Sequence, residues 1–193
     1  MNGKSTLGID LEGTLADAVS SWLALVKQRH GIEARKEEFR GHMLDHPNLK
    51  LISHEQYTEM FRDIWADWHT INLEDPDEPA VLKRLKERYN IYILTASLGQ
   101  REQIESWMNK NGLPFDKIVK TEVGRKTLPK VDIYVDDFFD VLKDAVSEGK
   151  KGIMLWQTWN DKRASKANEL GIPIAKNWKG VEQLLSGSSF SED

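Results

Sequence analysis

The chain contains no cysteine among its 193 residues. Disulfide bonds, thiolate nucleophiles and cysteine-based zinc sites are therefore excluded. Long apolar runs are also absent, and no stretch approaches the roughly 20 apolar residues that a membrane-spanning helix needs. An excess of basic residues is lacking as well: the net charge is −4, so the sequence carries no overall electrostatic signature of nucleic-acid binding.

The start of the sequence does not resemble a signal peptide, because its apolar run is short and interrupted by glycine. We therefore expect a cytoplasmic protein whose partner is a small molecule, with neither nucleic acid nor a membrane as a partner. The chain is long enough for one α/β domain with a substantial core and a small inserted domain.

Short apolar runs alternate with helical patterns over most of the chain. Strands are predicted at residues 6–11, 91–96, 116–120, 131–137, 151–157 and 172–175. Because helices separate the later strands, the pattern predicts an α/β fold with a parallel sheet covered on both faces.

The stretch after the first strand breaks this alternation. Helical patterns cover residues 16–31, 36–46 and 55–69, and no strand-like run accompanies them. A segment rich in proline and charge then marks a boundary. We predict that residues 18–76 form a helical cap inserted into a core domain made of 1–17 and 77–185. The polar tail 186–193 is expected to fray.

Polar residues stand at the ends of three predicted strands: Asp10 with Glu12, then Thr95, then Asp136 with Asp137. In open parallel sheets, ligands bind beyond the carboxyl ends of the strands. Carboxylates gathered at that edge would repel one another unless a cation lay among them, and oxygen ligands suit Mg²⁺.

A lysine near the last of these strands adds positive charge to the predicted site. Spacing favours Lys126, and Lys130 is its rival. A Mg²⁺ ion, a lysine and a hydroxyl around a carboxylate nucleophile would meet the spread negative charge of a phosphoryl group. The sequence therefore predicts a phosphoryl site.

These motifs resemble those of the haloacid dehalogenase (HAD) superfamily. The likeness is carried by "DLEGTLAD" at 10–17, "ILTA" at 93–96 and "KTLPKVDIYVDD" at 126–137. Within the superfamily the chain most resembles the 5′(3′)-deoxyribonucleotidase group, which carries a small helical cap in the same place. The resemblance implies a HAD-like Rossmannoid sheet flanked by helices.

The resemblance also implies a role for each motif residue. Asp10 matches the nucleophile that forms an aspartyl-phosphate and binds Mg²⁺. Glu12 stands where the family has an aspartate, whose carboxyl protonates the leaving oxygen and then activates water, and whose backbone carbonyl binds the metal. Asp137 is the first choice for the remaining metal ligand, and Asp136 would support it directly or through water.

The phosphoryl oxygens would be held by a separate group of residues. Thr95 matches the family hydroxyl that binds them, and the Ala96 amide offers a second donor. Lys126 matches the lysine that neutralises the nucleophile and the phosphate.

Glu12 departs from the family pattern by one methylene, which moves the carboxyl by roughly 1.5 Å if extended. Three interpretations stay open: a working acid/base, an enzyme with slow phosphoenzyme hydrolysis, or a phosphate-ligand binding protein that has lost turnover. We favour the first, because the lysine, the threonine and the acidic pair are all present.

The sequence thus predicts a Mg²⁺-dependent phosphomonoester hydrolase for nucleoside monophosphates, with deoxynucleotides first and sugar or metabolite phosphates as the alternative. Phe61, Trp65 and Trp68 recur at helical spacing in the predicted cap. Such a stripe is typical of the side of a helix that packs in the hydrophobic core, but in a cap these rings could also stack on a nucleobase.

Overall fold

The computed structural model describes residues 3–121 and 131–187. Six strands within these residues form one sheet: β1 (Thr6–Asp10), β2 (Asn90–Thr95), β3 (Lys117–Lys120), β4 (Ile133–Asp136), β5 (Lys151–Leu155) and β6 (Ile174–Ala175). The described part of the chain also contains seven α-helices: α1 (Ala18–His30), α2 (His54–Ala66), α3 (Glu78–Arg88), α4 (Arg101–Lys110), α5 (Phe139–Ser147), α6 (Ala164–Glu169) and α7 (Trp178–Ser186).

Every strand pairing is parallel, in the order β3-β2-β1-β4-β5-β6. The chain steps outward from β1 through β2 to β3 and then crosses back to place β4 on the other side of β1. The predicted α/β fold is confirmed. Because the strand order reverses at β1, the carboxyl ends of β1, β2 and β4 enclose the point where such sheets bind ligands.

Alternate strand residues enter two hydrophobic clusters on opposite faces of the sheet. Ile133 and Val135 of β4 belong to the larger cluster, which also takes residues from α1, α2, α3, α4 and α7. Tyr134 between them belongs to the smaller cluster, with residues of α5 and α6. Burial on both faces explains why the strands are apolar throughout.

The segment between β1 and α3 holds α1, α2 and four short 3₁₀ turns, and its described residues form no strand. We refer to residues 18–76 as the insertion. Its separation from the rest as a cap domain remains a prediction. Among the described residues, no helix is both long and apolar enough to cross a membrane.

The helix predicted over 36–46 is wrong. Only 3₁₀ turns occur there, at Lys36–Glu38 and Met43–Asp45. Gly41 weakens helical propagation between them, and the His42 side chain accepts a hydrogen bond from the Leu44 backbone, which favours a turn. Helix α7, by contrast, was not predicted from the sequence, because Gly180 interrupts the helical pattern of its nine residues.

One buried acid should make stability depend on pH. Glu78, at the start of α3, is fully buried, and its Oε1 accepts a hydrogen bond from the Asp75 backbone at 2.7 Å. Burial, together with the nearby Asp75 and Glu74 carboxylates, raises the pKa of Glu78 to about 10, despite that hydrogen bond.

Between pH 4.5 and about 10, Glu78 is therefore protonated in the native state and ionised in the unfolded chain. The native state binds the extra proton, so the free energy of unfolding should fall as pH rises through this window. We expect Glu78→Gln, which keeps the acceptor, to flatten the fall of Tm between pH 5 and 9. Exposed Glu87→Gln is the control, and parallel Tm curves for Glu78→Gln and the native protein would contradict the assignment.

Candidate active site

Three strand ends meet at the reversal point of the sheet. Asp10 ends β1, Thr95 ends β2 and Asp136 ends β4, with Asp137 directly after it. All four residues are buried. Because β1 pairs with both β2 and β4, the register brings these side chains to one edge, as the sequence predicts.

Three carboxylates form a tight cluster at that edge. Asp10, Asp136 and Asp137 each place one carboxylate oxygen within 4.8 Å of the others. Negative charges this close repel strongly in a buried setting. The donor set is all carboxylate oxygen, which fits a hard divalent cation such as Mg²⁺ better than a softer metal.

Two residues that the sequence analysis missed support the cluster. The Thr14 hydroxyl lies 3.3 Å from Asp10 Oδ2 and 3.4 Å from Asp137 Oδ1. The Trp159 indole donates a hydrogen bond to Asp137 Oδ2 at 2.6 Å. Trp159 follows β5, so reading the residues beyond that strand as well would have found it.

The turn after β1 needs glycine next to the cluster. Gly13 has a φ of +83°, and a Cβ there would lie 2.9 Å from Asp137 Oδ2. A side chain at this position would therefore be strained and would crowd the carboxylates. This is the physical reason for the glycine that follows Glu12 in the motif.

Two neutral donors among the described residues contact the Glu12 carboxylate. Thr95 Oγ1 donates to its Oε2 at 3.0 Å, and the Trp65 indole Nε1 donates to its Oε1 at 2.9 Å. Thr95 Oγ1 also accepts from the Ser97 backbone at 2.8 Å. The predicted acid/base group therefore touches the predicted phosphate-binding hydroxyl.

The side chain of Lys120 stabilises the loop after β2. Its Nζ donates to the backbone carbonyls of Ser97 and Gly99. Burial lowers the pKa of Lys120, although the Glu12 charge opposes that shift. The loop that carries Ala96 is thereby fixed from β3.

A cavity of about 820 Å³ opens from this edge, within the range of roughly 300–1,000 Å³ typical of small-ligand sites. Asp10, Glu12, Ala96 and Asp137 contribute to its wall. The insertion adds Tyr57 and Phe61, whose rings lie 4.8 Å apart.

Of the three aromatic residues predicted for the substrate pocket, only Phe61 lines this cavity. Trp65 is fully buried and its indole faces Glu12. Trp68 packs against the core cluster, with the Lys110 ammonium 6.0 Å from its ring. Tyr57 is a cavity residue that the sequence analysis missed, although it lies one helical turn before Phe61.

An ionic cluster joins Asp17, directly before the insertion, to Glu74 near the insertion's C-terminal end. Lys36 donates to Asp17 at 2.9 Å and also pairs with Glu74. Burial alone would lower the pKa of Lys36, but the two carboxylates raise it above its usual value. The Lys36 ammonium also lies 5.7 Å from the ring of Trp159, so the cluster reaches the residue that contacts Asp137.

Lys126 and its rival Lys130 lie outside the described residues, as do residues 188–193 of the predicted tail.

Comparison with known proteins identifies the family. The family model described as "5′ nucleotidase, deoxy (Pyrimidine), cytosolic type C protein" matches residues 4–188. No curated protein matches the chain. The family match covers nearly the whole sequence and includes every motif described above.

Solved structures support the fold. A haloacid dehalogenase-like hydrolase from Streptococcus pneumoniae has a TM-score of 0.65 and 16% identity, covering 96% of this chain and 100% of that one. A predicted phosphoglycolate phosphatase from Haemophilus somnus has a TM-score of 0.61 and 14% identity, with coverage of 96% and 100%. The HAD hydrolase YfnB from Bacillus subtilis, bound to magnesium, has a TM-score of 0.59 and 14% identity, again with coverage of 96% and 100%.

The fold and the family match lead to the same assignment. The sheet is parallel, and three buried aspartates lie at its reversal point. The chain belongs to the family of cytosolic type C 5′-nucleotidases, has the HAD fold, and is a phosphatase of the phosphomonoesterase class.

Proposed function

We propose that the protein is a Mg²⁺-dependent 5′(3′)-nucleotidase that works through an aspartyl-phosphate on Asp10. One observation carries the proposal: the buried carboxylates of Asp10, Asp136 and Asp137 lie together beside Glu12, whose carboxyl touches Thr95. The groups proposed as nucleophile, acid/base and metal ligand thus lie close together, and Asp10, Glu12 and Asp137 line one cavity.

Asp10, Asp136 and Asp137 would hold the metal, with the backbone carbonyl of Glu12 as a further ligand. Their oxygen-only chemistry fits Mg²⁺. The bound ion would supply positive charge that offsets the repulsion among the carboxylates and the phosphoryl group.

In the first half-reaction, an Asp10 oxygen attacks phosphorus while the bond from phosphorus to the leaving oxygen breaks. Glu12, protonated at this stage, gives its proton to the leaving oxygen, and the alcohol departs. The Thr95 hydroxyl, the Ala96 amide and Lys126 hold the phosphoryl oxygens during the transfer.

In the second half-reaction, the Glu12 carboxylate takes a proton from water, and that water attacks phosphorus. The bond between phosphorus and Asp10 breaks, inorganic phosphate leaves and the Asp10 carboxylate is restored. Glu12 ends the cycle protonated, ready for the next substrate.

The favoured substrate is a nucleoside monophosphate, with deoxynucleotides first. Tyr57 and Phe61 bring aromatic surface to the cavity, and stacking on a base contributes roughly 1–3 kcal/mol. Arg40, Lys162 and Arg163 bring positive charge to the same cavity, which favours an anionic ligand. The family description supports a cytoplasmic location.

The test is phosphate release from a panel of nucleoside 5′- and 3′-monophosphates, sugar phosphates and an aryl phosphate, with Mg²⁺ and with a chelator. We expect Mg²⁺-dependent turnover and a preference for nucleotides. A preference for sugar phosphates would support the phosphatase reaction but contradict the nucleotide substrate. Turnover that resists the chelator would contradict the dependence on Mg²⁺.

A phosphate-ligand binding protein is the second candidate. It is favoured by Glu12 itself, because a side chain longer by one methylene than aspartate can misplace the acid/base carboxyl while the groups that hold the metal and the phosphate stay in place. Calorimetry with the same nucleotides separates the two functions: Mg²⁺-dependent binding without phosphate release from any substrate would support the binding protein and overturn the enzyme.

A further inference from the structure

The two oxygens of the Glu12 carboxylate have different kinds of partner. Oε2 accepts from Thr95, which lies at the sheet edge, while Oε1 accepts from Trp65, which belongs to α2 of the insertion. The group predicted to move protons is therefore bridged between the sheet and the insertion.

Trp65 is a rigid partner. It is fully buried, its ring meets the Trp107 ring edge-on at 6.3 Å, and a Cβ on Gly99 would lie 2.7 Å from its Cγ. Tight packing on several sides allows the indole few alternative rotamers. The direction of the Trp65 indole N–H, toward Glu12 Oε1, is therefore fixed.

The length of the glutamate side chain matters for this contact. An aspartate at position 12 is shorter by one methylene, or about 1.5 Å. A hydrogen bond of 2.9 Å would then stretch beyond hydrogen-bonding distance unless the backbone moved. Glu12 and Trp65 thus fit each other, and this pairing gives a physical reason for the departure from the family aspartate.

The contact also decides which carboxylate oxygen faces the proposed phosphoryl site. Because the Trp65 indole holds Oε1, the other oxygen, Oε2, is turned toward Thr95, where the phosphoryl group is proposed to bind. The Thr95 hydroxyl has one hydrogen, so when it donates to a phosphoryl oxygen its own contact with Oε2 is lost, while the contact between Trp65 and Oε1 is kept.

We propose that Trp65 is a positioning residue that holds Glu12 by Oε1 and presents Oε2 to the leaving oxygen and then to water. This inference rests on the proposed phosphatase function. No atom of Trp65 takes part in bond making; it acts through Glu12.

The first test removes the indole N–H. Replacing Trp65 by benzothienylalanine keeps the ring shape without the donor, and Trp65→Phe is the simpler variant. We expect kcat for a nucleoside monophosphate to fall roughly 10- to 100-fold, the range for a lost hydrogen bond to a charged group, with KM within about twofold. The fall should be smaller for release of p-nitrophenol from its phosphate in a single turnover, because that leaving group needs no proton.

Trp156→Phe is the matched control. The Trp156 indole also donates to a carboxylate, that of Asp161 at 3.1 Å, and neither residue is among those that line the cavity. Any effect of its loss should be equal on both substrates. Equal losses on both substrates in the Trp65 variants, or an unchanged kcat, would overturn the positioning role.

A double-mutant cycle gives a second test. In a Glu12→Asp background, the carboxyl no longer reaches Trp65, so Trp65→Phe should have almost no further effect on kcat. Losses that simply multiply would show that the two residues act independently, and the proposal would fail.

A readout without turnover separates this inference from the proposed function. The indole N–H resonance of Trp65 should move in Glu12→Asp, while that of Trp156 stays in place. An inactive native protein with this shift would reject the phosphatase and keep the contact between the two residues. An active protein without the shift would reject the contact alone.

Discussion

Replacing Asp10 by asparagine should abolish phosphate release while the protein stays folded. The amide cannot act as the attacking carboxylate, and loss of the nucleophile in covalent hydrolases costs on the order of 10⁴-fold or more in kcat. The variant keeps the size of the side chain and one oxygen that can accept from Thr14. Turnover of the favoured nucleotide with Mg²⁺ is the measurement.

Thermal stability distinguishes this loss from unfolding. Asparagine has the same size as aspartate and keeps an oxygen that can accept from Thr14, so the packing of this buried position should be preserved. Without Mg²⁺, the Tm of Asp10→Asn should therefore stay close to that of the native protein. Exposed Asp144→Asn, purified in the same way, should retain full activity, and Asp10→Asn with a tenth of native turnover would reject the nucleophile.

The sheet could be predicted because its signals are local. Each strand is a short apolar run, and a parallel sheet places the ends of its strands at one edge. From this rule alone, Asp10, Thr95 and Asp136 were expected to be neighbours, and the structure brings them together. No other property of the sequence was needed to predict that these residues are neighbours.

Contacts that depend on how the insertion packs could not be predicted in the same way. The stripe of Phe61, Trp65 and Trp68 indicated a helix face but not which ring meets which surface. In the structure one ring lines the cavity, one reaches Glu12 and one lies against the core. These outcomes are set by the orientation of α2, a non-local property.

Supporting residues at the site were missed for a related reason. Thr14 lies in a turn, where a threonine is common, and its contact with Asp10 and Asp137 exists only in three dimensions. Trp159 could have been found from its position after β5. The helix predicted over 36–46 is an error of a different kind. Large apolar residues at helical spacing suggested a helix, but Gly41 and the hydrogen bond to the His42 side chain favour turns.

Glu12→Gln should separate the two halves of the proposed reaction. The amide keeps the length of the side chain, and its oxygen can still accept from Trp65, but it neither gives nor takes a proton. We expect steady-state turnover to fall roughly 10²- to 10⁴-fold, the usual contribution of general acid–base catalysis. An aryl phosphate, whose leaving group needs no proton, should still phosphorylate Asp10.

The phosphoenzyme should therefore accumulate in Glu12→Gln. Rapid mixing with p-nitrophenyl phosphate and Mg²⁺ should give a burst of about one equivalent of phenol per site, the kinetic fingerprint of a covalent intermediate. Mass spectrometry of the quenched protein should find one added phosphoryl group, absent from the Asp10→Asn variant. A Glu12→Gln protein that turns over at the native rate would show that another group moves the proton, and the departure from the family aspartate would then have no catalytic meaning.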